Sequence, residues 1–275
     1  MRQGMFVIDA HTHCHRPWQF NRFMVGQTPD QLIARMDRNG IDVSVVMSAN
    51  ALSPEMQREQ TEYLVDAVRK YPCRLIPVAL CTPMWGRQAL EEMRWAHGLG
   101  VKGIKLFANG QGGFSIDSPT LDPMMDLAVQ LGMRVVIHTD IDSKICSPFL
   151  GLRLAARHPA VKFQLAHFGQ NSDVAQYVAD WCKDTPNVYL DTSNSPGNIQ
   201  FVYKAPMEVM PDRLVFGSDG PTLYEEIELH KIDIAQRDFG LTDDEKRKIL
   251  GVNGARLWGV DLDAWYLEHE ISTAN

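Results

Sequence analysis

The chain has 275 residues, 45% of them hydrophobic and 22% charged, with a formal charge of −7 and a pI of about 5.7. This is the composition of an ordinary globular protein with a sizeable core. The acidic balance argues against a nucleic-acid partner, which needs clustered Lys and Arg, and no apolar run approaches the ~20 residues that span a bilayer. No signal-peptide pattern precedes Asp9, and the five cysteines (Cys14, Cys73, Cys81, Cys146, Cys182) are odd in number and lack Cys-x-x-Cys spacing. Reduced thiols and a cytoplasmic location are therefore expected.

Met5 to Ile8 is a short apolar run that reads as a strand and leads into Asp9-Ala10-His11-Thr12-His13. Alternation along that strand predicts that Asp9, His11 and His13 point the same way. A polar, aromatic loop follows over 14–27, carrying Arg16, Trp18 and Arg22. Thr28-Pro29-Asp30 opens a helix with a capping hydroxyl, a first-turn proline and an acid at the positive end, and Gly40 closes it. Strands are then predicted over 43–49, 74–82, 101–107, 134–139, 161–167, 188–192 and 213–218. The intervening helices fall over 54–71, 87–99, 122–131, 148–157, 172–183 and about 198–209, with a further helix at about 223–239. The strands are continuous apolar runs, as expected of a parallel sheet covered by helices. Eight strand–helix units predict a single-domain (β/α)8 barrel over 1–275; an open doubly wound sheet is the alternative. A last helix, 243–250, precedes Asn253-Gly254-Ala255-Arg256-Leu257-Trp258-Gly259. Residues 260–275 read as a tail packed on the barrel or on a second subunit, which leaves a homodimer open.

In such barrels the C-terminal strand ends form the active site. His11 and His13 end the first strand, Lys105 lies on the fourth, and His138, His167 and Asp219 terminate the fifth, sixth and eighth. Grouping so many buried ionisable side chains is costly unless something pairs them, and a divalent cation does so. His97, His158, His230 and His269 read as surface residues. His15 is a possible lining residue, and Cys14 is read as packing.

These motifs, with Gly103-Ile104-Lys105-Leu106, Ile137-His138-Thr139, Ala166-His167-Phe168-Gly169, Gly217-Ser218-Asp219 and Asn253-Gly254-Ala255-Arg256-Leu257, resemble the amidohydrolase superfamily. Within it they resemble the family 2 branch, which includes aminocarboxymuconate semialdehyde decarboxylase and related decarboxylases and hydrolases. The resemblance implies one divalent metal, zinc with manganese as the alternative, held by His11, His13, His138 and Asp219. His167 becomes a general acid/base, Asp219 also a proton acceptor for the metal-bound water, and Asp9 a residue holding an imidazole tautomer. In the binuclear branches a strand-four lysine is carboxylated and bridges a second metal. Lys105 could do so here, though the family 2 pattern favours contact with substrate.

Arg16, Arg22, Lys105 and Arg153 suit an anionic, small-molecule carboxylate substrate, and Trp18, Phe20 and Phe107 could stack on a planar group. The glycine-rich stretch 108–116 reads as an active-site loop. The leading expectation is a metal-dependent hydrolase cleaving a C–N or C–O bond of a small carboxylic acid. The alternative is a non-oxidative decarboxylase of an unsaturated or aromatic acid. A catalytically silent metal-binding or ligand-binding barrel is the third reading.

Overall fold

The computed structural model describes residues 1–16, 26–48, 51–168, 170, 172–195 and 198–268. Trp18, Phe20 and Arg22 lie outside them. Eight parallel strands form one sheet in sequence order: β1 (Ile8–His13), β2 (Val43–Met47), β3 (Leu75–Leu80), β4 (Gly103–Leu106), β5 (Arg134–His138), β6 (Phe163–Ala166), β7 (Val188–Asp191) and β8 (Leu214–Val215). The helices between and after them are α1 (Pro29–Asn39), α2 (Pro54–Lys70), α3 (Arg87–Gly98), α4 (Asp122–Leu131), α5 (Pro148–Arg157), α6 (Ser172–Cys182), α7 (Ala205–Val209), α8 (Glu225–Phe239), α9 (Asp243–Arg247), α10 (Asn253–Trp258) and α11 (Leu262–Glu268). The sheet closes between β1 and the residues after β8. Ala10 N donates to Phe216 O at 2.8 Å, His13 N to Gly220 O at 2.7 Å, and Asp219 N to His11 O at 2.8 Å. The protein is a single-domain (β/α)8 barrel.

The predicted caps operate. Thr28 accepts from Gln31 N in a complete capping box, and Gly40 ends α1 in the left-handed region at φ 67°. The eighth strand is shorter than the sequence suggests. The helical stretches around 198–209 and 243–258 each contain a π-helical segment, Gln200–Lys204 and Lys248–Val252.

Strand alternation divides the sheet. Ile104, Leu106, Val135, Ile137, Phe163, Leu165, Val188 and Leu190 pack outward in the large core under the helices. Ile8, Ala10, Val45, Val78, Val136, Tyr189 and Val215 fill the foot of the barrel together with Trp258 of α10. The interior therefore changes from apolar at the foot to polar at the mouth, where Lys105, His138, Gln164 and Asp191 occupy interleaved positions on β4 to β7. Burying the apolar layers contributes roughly 25 cal/mol per Å² removed from water. That burial offsets the cost of enclosing the polar layer above it.

One expectation fails at β1. The pairing register with β2 shifts between Asp9 and Thr12, so strict alternation does not run through the motif. The bulge separates Asp9 from the two histidines, which continue toward the mouth.

Among the described residues no helix is long and apolar enough to cross a membrane.

Candidate metal centre

The site is built from strand ends. His11 is fully buried, with its Nδ1 2.7 Å from Asp191 Oδ2. A carboxylate only accepts, so Nδ1 carries the proton and Nε2 presents its lone pair to the barrel mouth. Lys105 confirms that direction: its Nζ, a donor only, lies 3.2 Å from His11 Nε2. His13 differs in having an acceptor at each nitrogen: its Nδ1 is 3.2 Å from the Met47 carbonyl and its Nε2 is 3.0 Å from Asp219 Oδ1, so a neutral ring can donate to only one of them. His11 Nε2 is 3.6 Å from the same oxygen. With their Nδ1 atoms bonded outward, the two rings turn Nε2 toward the same carboxylate oxygen. Acceptors facing acceptors call for a cation between them, so the residues fit a divalent metal.

Among the described residues, the tightest metal-capable group is His11, His167 and Asp219, whose ligand atoms all lie within 4.8 Å of one another. This differs from the expected set: His167 stands close enough to ligate. His138 stands beside it, with ring centroids 4.9 Å apart, and packs its edge against Phe107 at 4.6 Å. His11 and Asp219 belong to both sets.

The electrostatics follow from burial and crowding. Burial, reinforced by Lys105, lowers His11 to about 3. Burial, with His167 and Lys105 nearby, lowers His138 to about 2. Burial also lowers His167, so these imidazoles are neutral near pH 7. Burial would raise Asp219, but the surrounding His167, His13 and His11 hold it well below the carboxylate range. Lys105 is lowered to about 8 by burial, against the opposing pull of Asp219 and Asp191. His167 and Asp219 also have left-handed backbone, at φ 65° and 57°, which non-glycine residues adopt at a cost of about 1–2 kcal/mol.

Three other residues expected at the site lie elsewhere. Asp9 does not hold an imidazole. It accepts from Ser218 N at 3.0 Å, Ser218 Oγ at 2.5 Å and His11 N at 3.1 Å, and so ties β1 to the loop after β8. The bulge in β1 is the reason. Arg16 packs against α2, 3.4 Å from Glu59 and over the Tyr63 ring, which gives its guanidinium partners other than a substrate. Arg153 pairs with Asp117 at 3.2 Å and is mostly exposed. The Cys14 thiol faces Gln27 O at 3.4 Å, and burial pushes it up to about 12, so it packs as expected.

Two residues that the sequence reading passed over do contribute. Asp191 ends β7 and fixes His11. Ser193, two residues on, places its Oγ 2.9 Å from His167 Nδ1. Asp191 terminates an apolar strand just as His138 and His167 do, which was the available signal. Gln164 of β6 steadies Asp191 from below with a 2.8 Å bond. The close fit needs Gly217: a Cβ there would lie 2.4 Å from Asp191 Oδ1 and 2.9 Å from His11 Cβ. Gly217→Ala is expected to cost about 1–3 kcal/mol in a denaturant titration. It should also weaken metal binding by disturbing the Asp191–His11 bond.

A family model described as amidohydrolase matches residues 8–260. The chain belongs to the amidohydrolase family. It is an enzyme of that family, whose relatives include decarboxylases and hydrolases. No protein with a curated description matches the sequence. Among solved structures, this amidohydrolase is similar to 2,6-dihydroxybenzoate decarboxylase from Rhizobium, with 20% identity, a TM-score of 0.73, and coverage of 94% of this chain and 99% of that one. It is also similar to a dihydroxybenzoic acid decarboxylase from Polaromonas sp. JS666 with bound manganese and the inhibitor 2-nitroresorcinol (18%, TM-score 0.72, 93% and 97%). A third is a probable 2-pyrone-4,6-dicarboxylic acid hydrolase from Acinetobacter baumannii with citric acid bound (18%, TM-score 0.69, 93% and 100%).

Proposed function

We propose that this amidohydrolase is a metal-dependent decarboxylase of a small planar acid, unsaturated or aromatic. The observation that carries the reading is how the polar groups at the mouth are engaged. Among the described residues, Asp9 is bonded to Ser218 and Asp191 to His11. Asp219 faces His13, Lys105 stands against His11 as a source of positive charge, and His167, inside the metal-capable group, is the imidazole proposed to carry a proton. That is an inventory for stabilising negative charge and protonating it, more than for taking a proton from water.

His11, His13 and Asp219 would hold the metal, with His138 as the fourth ligand. The bound cation, zinc or manganese, would polarise the substrate's oxygens. Lys105 pairs with the acid's negative charge. Phe107, in an edge-to-face pair with His138, would stack on the substrate's plane. The bond between ring carbon and carboxyl carbon breaks, and its electron pair stays on the ring carbon. Carbon dioxide leaves, and that carbon takes a proton from His167, which gives it up as the imidazolium that an anionic substrate beside it favours and returns to the neutral ring. Support for this reading comes also from the decarboxylases among the similar structures.

The second reading is hydrolysis of a lactone or amide of such an acid. It is favoured by the place of Asp219 inside the three-donor group, where it could accept a proton, and by the similarity to the probable dicarboxylic acid hydrolase.

The deciding experiment is a screen of aromatic, unsaturated and dicarboxylic acids with the metal-loaded protein, scoring carbon dioxide separately from ring opening. Release of carbon dioxide supports the proposal, and ring opening without it supports the second reading. Metal-loaded protein inert to every acid would favour the silent barrel. His167→Asn should keep about one metal per chain by elemental analysis while losing ~10²–10⁴-fold in kcat. Loss of the metal would make His167 a ligand.

A further inference from the structure

We infer that Trp258, at the foot of the barrel and so at the opposite end from the metal centre, is a positioning residue for that centre, acting through Gln164 and Asp191 on His11. The inference rests on the reading of His11 as a metal ligand and deepens it.

A line of buried hydrogen bonds runs from the foot of the barrel to its mouth, and the partners leave no freedom in direction. Gln164 Nε2 lies 2.8 Å from Asp191 Oδ2 and 2.9 Å from the Ala10 carbonyl. Both are acceptors, so the NH2 end of the amide must face them. Its Oε1 then points the other way, 3.2 Å from Trp258 Nε1, and an indole nitrogen only donates. A flipped amide would set oxygen against two acceptors and NH2 against a donor. At the upper end, Asp191 Oδ2 also lies 2.7 Å from His11 Nδ1. Three bonds thus join α10 to a proposed ligand of the metal.

The line is also held rigidly. Trp258 is 3% exposed, and Gln164, Asp191 and His11 are fully buried, so water does not compete for these bonds. Gln164 pairs with Val136 of β5 and Tyr189 of β7, both part of the apolar foot. An amide enclosed there is costly unless its bonds are made, and packing alone would be served by an aliphatic side chain. The indole has a fitted seat: a Cβ at Gly103 would lie 3.2 Å from its Cη2 and Cζ3 atoms. Without the indole N–H, the Oε1 end of the amide is released. Its NH2 end then holds Asp191, and Asp191 holds the His11 ring, less firmly.

Zinc affinity of the apo-protein, measured by competition with a chromophoric chelator, tests this without turnover. Gln164→Met, which keeps the length of the side chain and lacks the amide, should weaken zinc binding about 10–100-fold, the range for outer partners of metal ligands. Trp258→Phe should weaken it about 3–10-fold, as one buried hydrogen bond warrants. The double variant should bind zinc no more weakly than Gln164→Met alone, because Trp258 acts through that amide. Replacement of Trp258 by β-(3-benzothienyl)alanine keeps the bicyclic shape and removes the N–H. It should repeat the Trp258→Phe result, and it decides the matter if circular dichroism shows Trp258→Phe to be misfolded. Wild-type zinc affinity in the benzothienyl protein overturns the inference, and so does a double variant in which the two losses multiply. A wild-type protein that takes up no zinc would remove the metal centre and this inference together, whereas tight zinc binding insensitive to these changes removes the inference alone. Zinc affinities that follow the expected pattern in a protein that decarboxylates nothing leave the inference standing and remove the proposed reaction.

Discussion

Asp219→Asn is expected to give a folded protein without metal and without activity. The exchange keeps the side chain's shape but removes the charge against which His13 and His11 aim their Nε2 lone pairs from 3.0 and 3.6 Å. Outer partners of metal ligands typically contribute 10–100-fold in affinity, so loss of a direct carboxylate ligand should exceed roughly 100-fold. Elemental analysis after dialysis should fall from about one equivalent to background, with turnover falling in parallel. Retention of a full equivalent of metal would remove Asp219 from the ligand set. Circular dichroism that matches the wild type separates this result from misfolding. The left-handed backbone at Asp219 favours the outcome, since asparagine tolerates that region about as well as aspartate.

The second large effect concerns Lys105. Its ammonium stands against the donor cluster, 3.2 Å from His11 Nε2, and it is 2% exposed. Burial lowers its pKa to about 8, so the charged form predominates below that pH and is lost above it. If the ammonium holds the substrate's carboxylate, kcat/KM must fall as pH rises through about 8. Lys105→Met should lower kcat/KM at pH 7 by ~10²-fold or more, as expected for a buried charge-assisted contact worth about 3 kcal/mol, and should abolish the alkaline fall. Metal content should stay near one equivalent. If two equivalents were found in the wild type and one in the variant, Lys105 would instead be a carboxylated bridge between two metals.

Much of this was legible in the sequence because barrels repeat one rule. Apolar strand interiors marked the sheet, and the polar residues that end them, His13, His138, His167 and Asp219, marked its mouth. Three things were not legible, each for a physical reason. The bulge in β1 is a property of pairing with β2, so alternation wrongly tied Asp9 to the histidines. The bond between Asp191 and His11 joins residues 180 apart, which no local pattern encodes. The partners of Arg16, Glu59 and Tyr63, come from α2 folding back against the first loop, whereas the composition of that loop alone suggested a substrate contact.

The closure of the barrel has a consequence for how the protein is made. The hydrogen bonds that join the first strand to the end of the eighth run through His11, His13, Asp219 and Gly220, the same short stretches that gather the imidazoles and the carboxylate. A chain still emerging from the ribosome has His11 and His13 almost at once but must wait for some two hundred further residues before Asp219 arrives. Cation capture at this seam would therefore come last in biogenesis and would act as a clasp on the finished ring. A metal that binds only this assembled state stabilises it by mass action, so starvation for the metal should lower the protein's abundance in the cell as well as its activity.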